Sequence, residues 1–270
     1  MNHYKFVFYV LILGGLLNAC KFSKLLKSTD LREKYTAALK YYEKGDYYKT
    51  SVLLEELIPL IRGTKEQEIA QFYYAYCAYY QKAYTQGAYF FKKFYQTFRS
   101  SQFAEEARFM ETKCMYKDSP PYNLDQGNTT KSIRVCQQFL NSFPESKYFE
   151  ECNTMMNDLR IKLERKAFEN ANLYYRISEY KAAVIAFNNF QQDFPDSQEY
   201  SELVAFLKLD AQYELAKLSF QRLKQERFQE AIEHYEYFIS NYAQSKRLKA
   251  AEDIYDKCVR ELGKLSTVKR

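Results

Sequence analysis

Residues 188–197 read NNFQQDFPDS and residues 137–146 read QQFLNSFPES. A catalytic motif is needed once, whereas a structural unit that stacks on copies of itself is needed many times. Sliding the phrase along the chain extends it to YKAAVIAFNNFQQDFP from Tyr180, FQEAIEHYEYFISNYA from Phe228, YTQGAYFFKKFYQTFR from Tyr84, TTKSIRVCQQFLNSFP from Thr129 and, more weakly, YYKTSVLLEELIPLIR from Tyr47. The shared frame is an aromatic, a small residue three positions later, and a bulky residue seven beyond that. The small positions are Thr50, Gly87, Ser132, Ala183 and Ala231, and the bulky ones are Leu57, Phe94, Phe139, Phe190 and Phe238. Spacings of three and four place these residues on one helix face. The small residue lets a second helix approach, and the large ones fill the space around it. Pro144 and Pro195 stop the periodic stretch.

Each copy is preceded by a second helical stretch. EKYTAALKYYEKGD leads into the first copy, with Gly45-Asp46 at the turn, and RKAFENANLYYRIS leads into the fourth. Two antiparallel helices with small residues at their contact and a terminal Pro resemble the tetratricopeptide repeat, whose usual period is about 34 residues. The starts here lie 37, 45, 51 and 48 residues apart, so the helices or loops are longer than in the minimal unit. The expected fold is all-α: five tetratricopeptide-like helix pairs stacked in an α-solenoid. Seven Gly and five Pro in 270 residues agree with helices throughout.

The N-terminus is different in kind. After MNHYK, residues 6–17 form an unbroken apolar run, FVFYVLILGGLL. Twelve residues are too few to span a bilayer, which takes about 20, but they suit the core of a signal peptide. LNAC follows, and a Cys directly after small residues resembles the bacterial lipobox. Residues 1–19 are therefore expected to be a lipoprotein signal peptide and Cys20 the lipid attachment site, carrying diacylglycerol and palmitate. The alternative is an ordinary secretory signal with a chance Cys. Residues 20–29 read as a lipidated linker. Lys21 stands where well-studied lipoproteins retained in the inner membrane carry Asp, so by that resemblance the outer membrane is the expected location, with the body facing the periplasm.

Little in the sequence suggests chemistry. Beyond the signal peptide there is one His, His234, too few for a two-His metal site. Cys77, Cys114, Cys136, Cys152 and Cys258 form no C-x-x-C, and Cys136 stands where the fourth and fifth copies carry Phe187 and Tyr235, so it reads as core filler. One disulfide among the five remains an open choice. Pairs such as Glu55-Glu56 and Glu105-Glu106 read as solvated helix faces. The net charge of +6 is interspersed, without a block of like charges, which gives nucleic-acid binding no support. No catalytic residue, metal or further cofactor is expected, and the chain reads as a non-enzyme.

The informative stretch is QFYYAYCAYY, residues 71–80. In the repeat frame Tyr74, Ala75 and Ala78 face the packing partner. Phe72, Tyr76, Tyr79 and Tyr80 then point to a groove, joined by Tyr35, Leu39 and Tyr42 from the first repeat. Two readings stand side by side: the rings are buried as core, or they line a groove for an apolar or aromatic peptide.

At this point the chain resembles the outer-membrane protein assembly factor family BamD. The resemblance rests on LNAC, on DSPPYNLDQGNTTKSIRVCQQFLNSFPES at Asp118–Ser146, where the family carries an SPP-x-x-x-DQ insertion, and on NDLRIKLERKAFENANLYYRISEYKAAV. The chain departs from it in being richer in Tyr and in lacking a Pro after copies one, two and five. The resemblance implies a lipoprotein of the β-barrel assembly machine. Residues 30–145, repeats one to three, would receive unfolded outer-membrane proteins, with Tyr35, Tyr42, Tyr76 and Tyr80 in contact. Residues 146–263, repeats four and five with a capping helix, would bind a BamA-type barrel protein. Accessory lipoproteins are further candidate partners. The runners-up are another repeat-built lipoprotein adaptor in cell-envelope organisation and a cell-wall enzyme on a helical scaffold.

Overall fold

A computed structural model describes residues 21–268. The expected signal peptide and Cys20 lie outside the described residues. Those described form helices and turns, with no strand among them. The helices fall into five successive pairs. These are α1 (Leu31–Glu43) with α2 (Tyr47–Leu57), α3 (Lys65–Tyr80) with α4 (Tyr84–Thr97), α5 (Ala104–Asp118) with α6 (Gly127–Ser142), α7 (Phe149–Arg176) with α8 (Tyr180–Asp193), and α9 (Ser201–Lys217) with α10 (Gln221–Asn241). A last helix, α11 (Leu248–Val268), follows. The all-α, paired-helix architecture expected from the sequence is the one observed.

Local chemistry sets the helix ends. Asp30 caps α1 by accepting from the backbone N–H groups of Arg32 and Glu33, and Asp46 caps α2 by accepting from Lys49. The turn inside three of the pairs has one geometry. Gly45, Lys82 and Ser178 all lie at positive φ, at 74°, 61° and 64°. Each donates its N–H to the carbonyl three residues back, and the next residue donates to the carbonyl five back. This is a left-handed helix C-cap, which Gly adopts without strain and Lys or Ser only at a cost.

The repeat frame describes the core. Thr50, Ser132, Ala183 and Ala231 are buried, as are Leu57, Phe94, Phe139, Phe190 and Phe238. Gly87 shows why the small position is small. A Cβ there would stand 3.0 Å from Cys114 Sγ and 3.5 Å from the Tyr79 backbone nitrogen. Each buried Phe anchors its pair by about 3–5 kcal/mol, judged by what truncation to Ala costs.

A second device recurs, and the sequence reading did not use it. After four of the packing helices comes aromatic-x-x-Ser: Phe98–Ser101, Phe143–Ser146, Phe194–Ser197 and Tyr242–Ser245. Each Ser hydroxyl donates to a Glu on the first helix of the same pair: Ser101 to Glu68, Ser146 to Glu105 (2.6 Å), Ser197 to Glu164 and Ser245 to Glu202 (2.7 Å). Each Ser oxygen also accepts a backbone N–H two or three residues on, from Phe103, Tyr148, Tyr200 or Arg247. In three of the four, the ring that follows stacks on the Phe one turn beyond that Glu: Phe103 on Phe72, Tyr148 on Phe109 and Tyr200 on Phe168, with centroids 4.7, 4.2 and 4.4 Å apart. In the fourth, Arg247 pairs with Glu202 instead. The staple ties the exit of each pair back to its own first helix. It also corrects the reading of Glu105 as a merely solvated residue.

The described chain divides into two compact units. One comprises residues up to 120 together with 125–159, the other 121–124 together with 160 onward, so α7 belongs to the first as far as Leu159 and to the second from Arg160. In the first unit a core runs from Phe72 and Phe91 through Phe109 and Phe139 to Leu159, and a smaller one gathers Ala38, Leu53, Leu54, Leu57 and Ala70. Residues 21–27, expected as linker, are helical, and Phe22, Leu25 and Leu26 pack on that smaller core. Lys34 fixes the segment by donating to the Leu26 carbonyl while pairing with Glu56, both at 2.8 Å. The second unit has cores around Phe187 and Phe190 and around Phe228 and Phe238. Within it, the Tyr122 ring lies 4.1 Å from the Arg165 guanidinium and the Leu124 carbonyl accepts from Lys166, which ties residues 122–124 to α7.

Candidate functional site

Helix α3 carries the aromatic stretch, and the structure divides its rings between core and surface. Ala70, Ala75, Cys77 and Ala78 are buried, and Tyr74 leans on Phe90 of α4 (centroids 4.7 Å). Phe72 departs from the expectation. It is 4% exposed, stacked on Phe103 and packed against Phe91 and Phe94, so it is core and not groove wall. The physical reason is the turn after α4, where Ser101 accepts from the Phe103 N–H and Phe103 stacks on the Phe72 ring.

The other rings form a ladder in the first unit. Tyr42 stacks on Tyr73 and Tyr47 on Tyr80, each at 4.3 Å, and Tyr76 lies 5.8 Å from Tyr80. Tyr80 is the most open, at 44%. Tyr35 is half-buried, packed on the core of the first pair with Glu66 and Tyr73 close by, and Leu39 is also half-buried. Neither reaches the pocket next to the ladder, and nor does Tyr42.

That pocket, of about 340 Å³, is walled by Tyr76, Tyr79 and Tyr80 of α3, floored by Phe109 and Met110 of α5, and closed on its far side by Tyr148. Glu106, Lys113 and Glu151 supply its charges. The Tyr76 hydroxyl donates to Glu106, and Lys113 pairs with Glu151 at 2.7 Å. Burial pushes the Tyr76 phenol well above its usual range, and the Glu106 carboxylate pushes it further. Burial likewise raises Tyr42 and Tyr79. For Lys113 burial works against the charge, but the hydrogen bond and charge of Glu151 outweigh it, so its pKa is raised and it stays an ammonium. The structure thus brings together three of the seven expected groove residues, Tyr76, Tyr79 and Tyr80. It adds Glu106, Phe109, Met110, Lys113, Tyr148 and Glu151, which the sequence reading missed. A cue for two of them was present: in the staple register Phe109 and Tyr148 repeat Phe72 and Phe103.

These groups are committed to one another. An aromatic wall, an apolar floor and a rim of paired charges suit the side chains of an extended segment, with hydroxyls and carboxylates at the edge for its backbone. Elsewhere, burial together with the Lys208 charge lowers the His234 pKa to about 4, so the imidazole is neutral at pH 7. Among the described residues no group of His, Cys, Asp and Glu is placed to hold a metal ion, and no helix is long and apolar enough to cross a membrane.

Compared with known proteins, residues 27–213 match the model of a family described as YfiO, outer membrane lipoprotein. The match runs from before α1 into α9 and so takes in the pocket whole. No curated protein matches the chain.

Proposed function

The chain belongs to the YfiO family of outer membrane lipoproteins, and we propose that it acts there as the BamD-type subunit of the β-barrel assembly machine. In this reading a lipid on Cys20 holds it to the outer membrane with its body in the periplasm. The first unit receives segments of unfolded outer-membrane proteins, and the second docks on a BamA-type barrel protein. The observation that carries the client role is the pocket of α3, α5 and the start of α7. It presents three Tyr rings over Phe109 and Met110, large contact area with few rotamers to freeze. A strand ending in an aromatic residue offers the complementary ring. The docking role is supported by the turns inside the fourth and fifth pairs, which expose Ile177, Leu218 and Phe220 at 57%, 72% and 78%. Leu218 and Phe220 stand two residues apart in one turn, and adjoining exposed apolar side chains of this kind suit a surface that a partner covers.

The test is affinity for a synthetic peptide with the C-terminal strand sequence of an outer-membrane protein. Tyr76→Ala with Tyr80→Ala is expected to weaken binding by roughly tenfold or more, at about 1–2 kcal/mol for an anchoring ring, with helicity retained. Unchanged affinity in a folded double variant refutes the assignment of the pocket.

A further inference from the structure

Two thiols in the first unit meet. Cys136 lies on α6 and Cys152 on the first turn of α7, and both are 0% exposed. Cys152 Sγ stands 3.6 Å from the Cys136 carbonyl oxygen, to which its thiol donates, and the two side chains interact. The other described cysteines differ. Cys258 is alone in the second unit. Cys77 and Cys114 are buried on α3 and α5, and burial pushes both up to about 12, with no hydrogen bond from another sulfur.

We infer that Cys136 and Cys152 close a disulfide when the chain folds under oxidising conditions, tying α6 covalently to α7. Two observations carry this. The Cys152 sulfur already lies against Cys136 in the core. The 15 residues between them, 137–151, hold the Ser146 staple as well as Tyr148 and Glu151 of the pocket, so the bond fixes the far wall of the pocket through the residue next to Glu151. Before the core closes the two thiols are alike, and attack from either leads to the same bond.

The oxidant is a dithiol–disulfide exchange protein or oxidised glutathione. Taking Cys136 first, its thiolate attacks one sulfur of the oxidant's disulfide and expels the other as thiolate, giving a mixed disulfide on Cys136. Cys152 then loses its proton and attacks the Cys136 sulfur, forming the 136–152 bond and releasing the oxidant's second sulfur as thiolate. Two electrons pass to the oxidant and the two protons to solvent. Both thiols are buried in the native state, so the exchange takes place before the core closes, and the closed core then shields the bond from reductants. That the cell supplies such conditions rests on the outer-membrane location proposed above.

The experiment refolds the full mature chain from denaturant in a glutathione buffer, oxidised and reduced in parallel. Free thiols are then alkylated in denaturant, and tryptic peptides are read by mass spectrometry. Trypsin separates Cys136, in 135–147, from Cys152, in 148–160. The expected result from the oxidised buffer is one species joining the two peptides, lighter by two hydrogens and unalkylated, with Cys77, Cys114 and Cys258 alkylated. Cys152→Ser should leave Cys136 alkylated. Free, alkylated Cys136 and Cys152 after oxidised refolding overturn the inference, as does a bond between any other pair. The same map on protein taken from the cell envelope without reductant bears on location alone: a reduced pair there, beside a bond formed in vitro, contradicts the oxidising compartment and leaves the pairing standing.

Discussion

Gly87 offers the sharpest test of how the pairs pack, because two effects of known sign oppose each other there. In the interior of a helix such as α4, Gly→Ala stabilises by about 0.5–1 kcal/mol, since Ala loses less backbone entropy on folding. In this fold the new Cβ would stand 3.0 Å from Cys114 Sγ, a sulfur on a fully buried side chain. Comfortable contact needs about 3.5–4.0 Å, so α5 must give way by several tenths of an ångström against a packed core. Overpacking of that kind costs about 1–3 kcal/mol. Gly87→Ala is therefore expected to destabilise the wild-type chain by about 0.5–2 kcal/mol. In a Cys114→Ala background the sulfur is gone, the next neighbours of the Cβ are at 3.5 and 3.8 Å, and the same substitution should stabilise by about 0.5–1 kcal/mol. Urea unfolding of the four proteins, followed by far-UV circular dichroism, reads the cycle. The reasoning is refuted if Gly87→Ala stabilises both backgrounds equally, for then α4 and α5 do not meet at this point.

Ser178→Gly should stabilise by about 1 kcal/mol by relieving the left-handed backbone of a non-Gly residue, measured by urea unfolding; a loss would mean the turn is not held at positive φ. Ser146→Ala removes a charge-assisted hydrogen bond to Glu105 and the acceptor for the Tyr148 N–H, and should cost about 1–2 kcal/mol; no loss would show the staple to be incidental. His234 titrates at 6.5 unfolded and about 4 folded. Between those values the unfolded chain binds more protons, so stability is complete above pH 6.5 and declines as pH falls toward 4, by up to about 3 kcal/mol. His234→Gln should flatten that part of the stability profile, and an unaltered slope would place the titration elsewhere.

The sequence reveals the pairs because their contacts are local and periodic. Thr50 to Leu57 and Ala183 to Phe190 mark one helix face, and Pro144 and Pro195 mark where it ends. The pocket is harder to read because its walls come from α3, α5 and α7, far apart in the chain. Periodicity places Phe72 and Tyr76 on one side of α3, four residues apart, and cannot tell which is covered. The distinction is made by Phe103, which the Ser101 staple carries over Phe72 and not over Tyr76. Glu105 and Glu106 look alike in sequence, yet one holds Ser146 and the other receives the Tyr76 hydroxyl. The meeting of Cys136 and Cys152 is hidden for a related reason: it depends on how far α7 is rotated against α6, which the intervening turn sets and no repeat unit encodes. The aromatic-x-x-Ser phrase was legible throughout, and its fourfold recurrence is a signal of tertiary contact that helix periodicity leaves out.

The measurement that bears most directly on the account is what travels with this protein when it is gently extracted from membranes and purified by a C-terminal tag. The account predicts a large β-barrel protein with periplasmic domains in comparable amount, lost when Leu218 and Phe220 are replaced by polar residues. Recovery of the protein alone, or with cell-wall enzymes in place of a barrel, contradicts the assembly role and leaves a repeat-built outer membrane lipoprotein with a different partner.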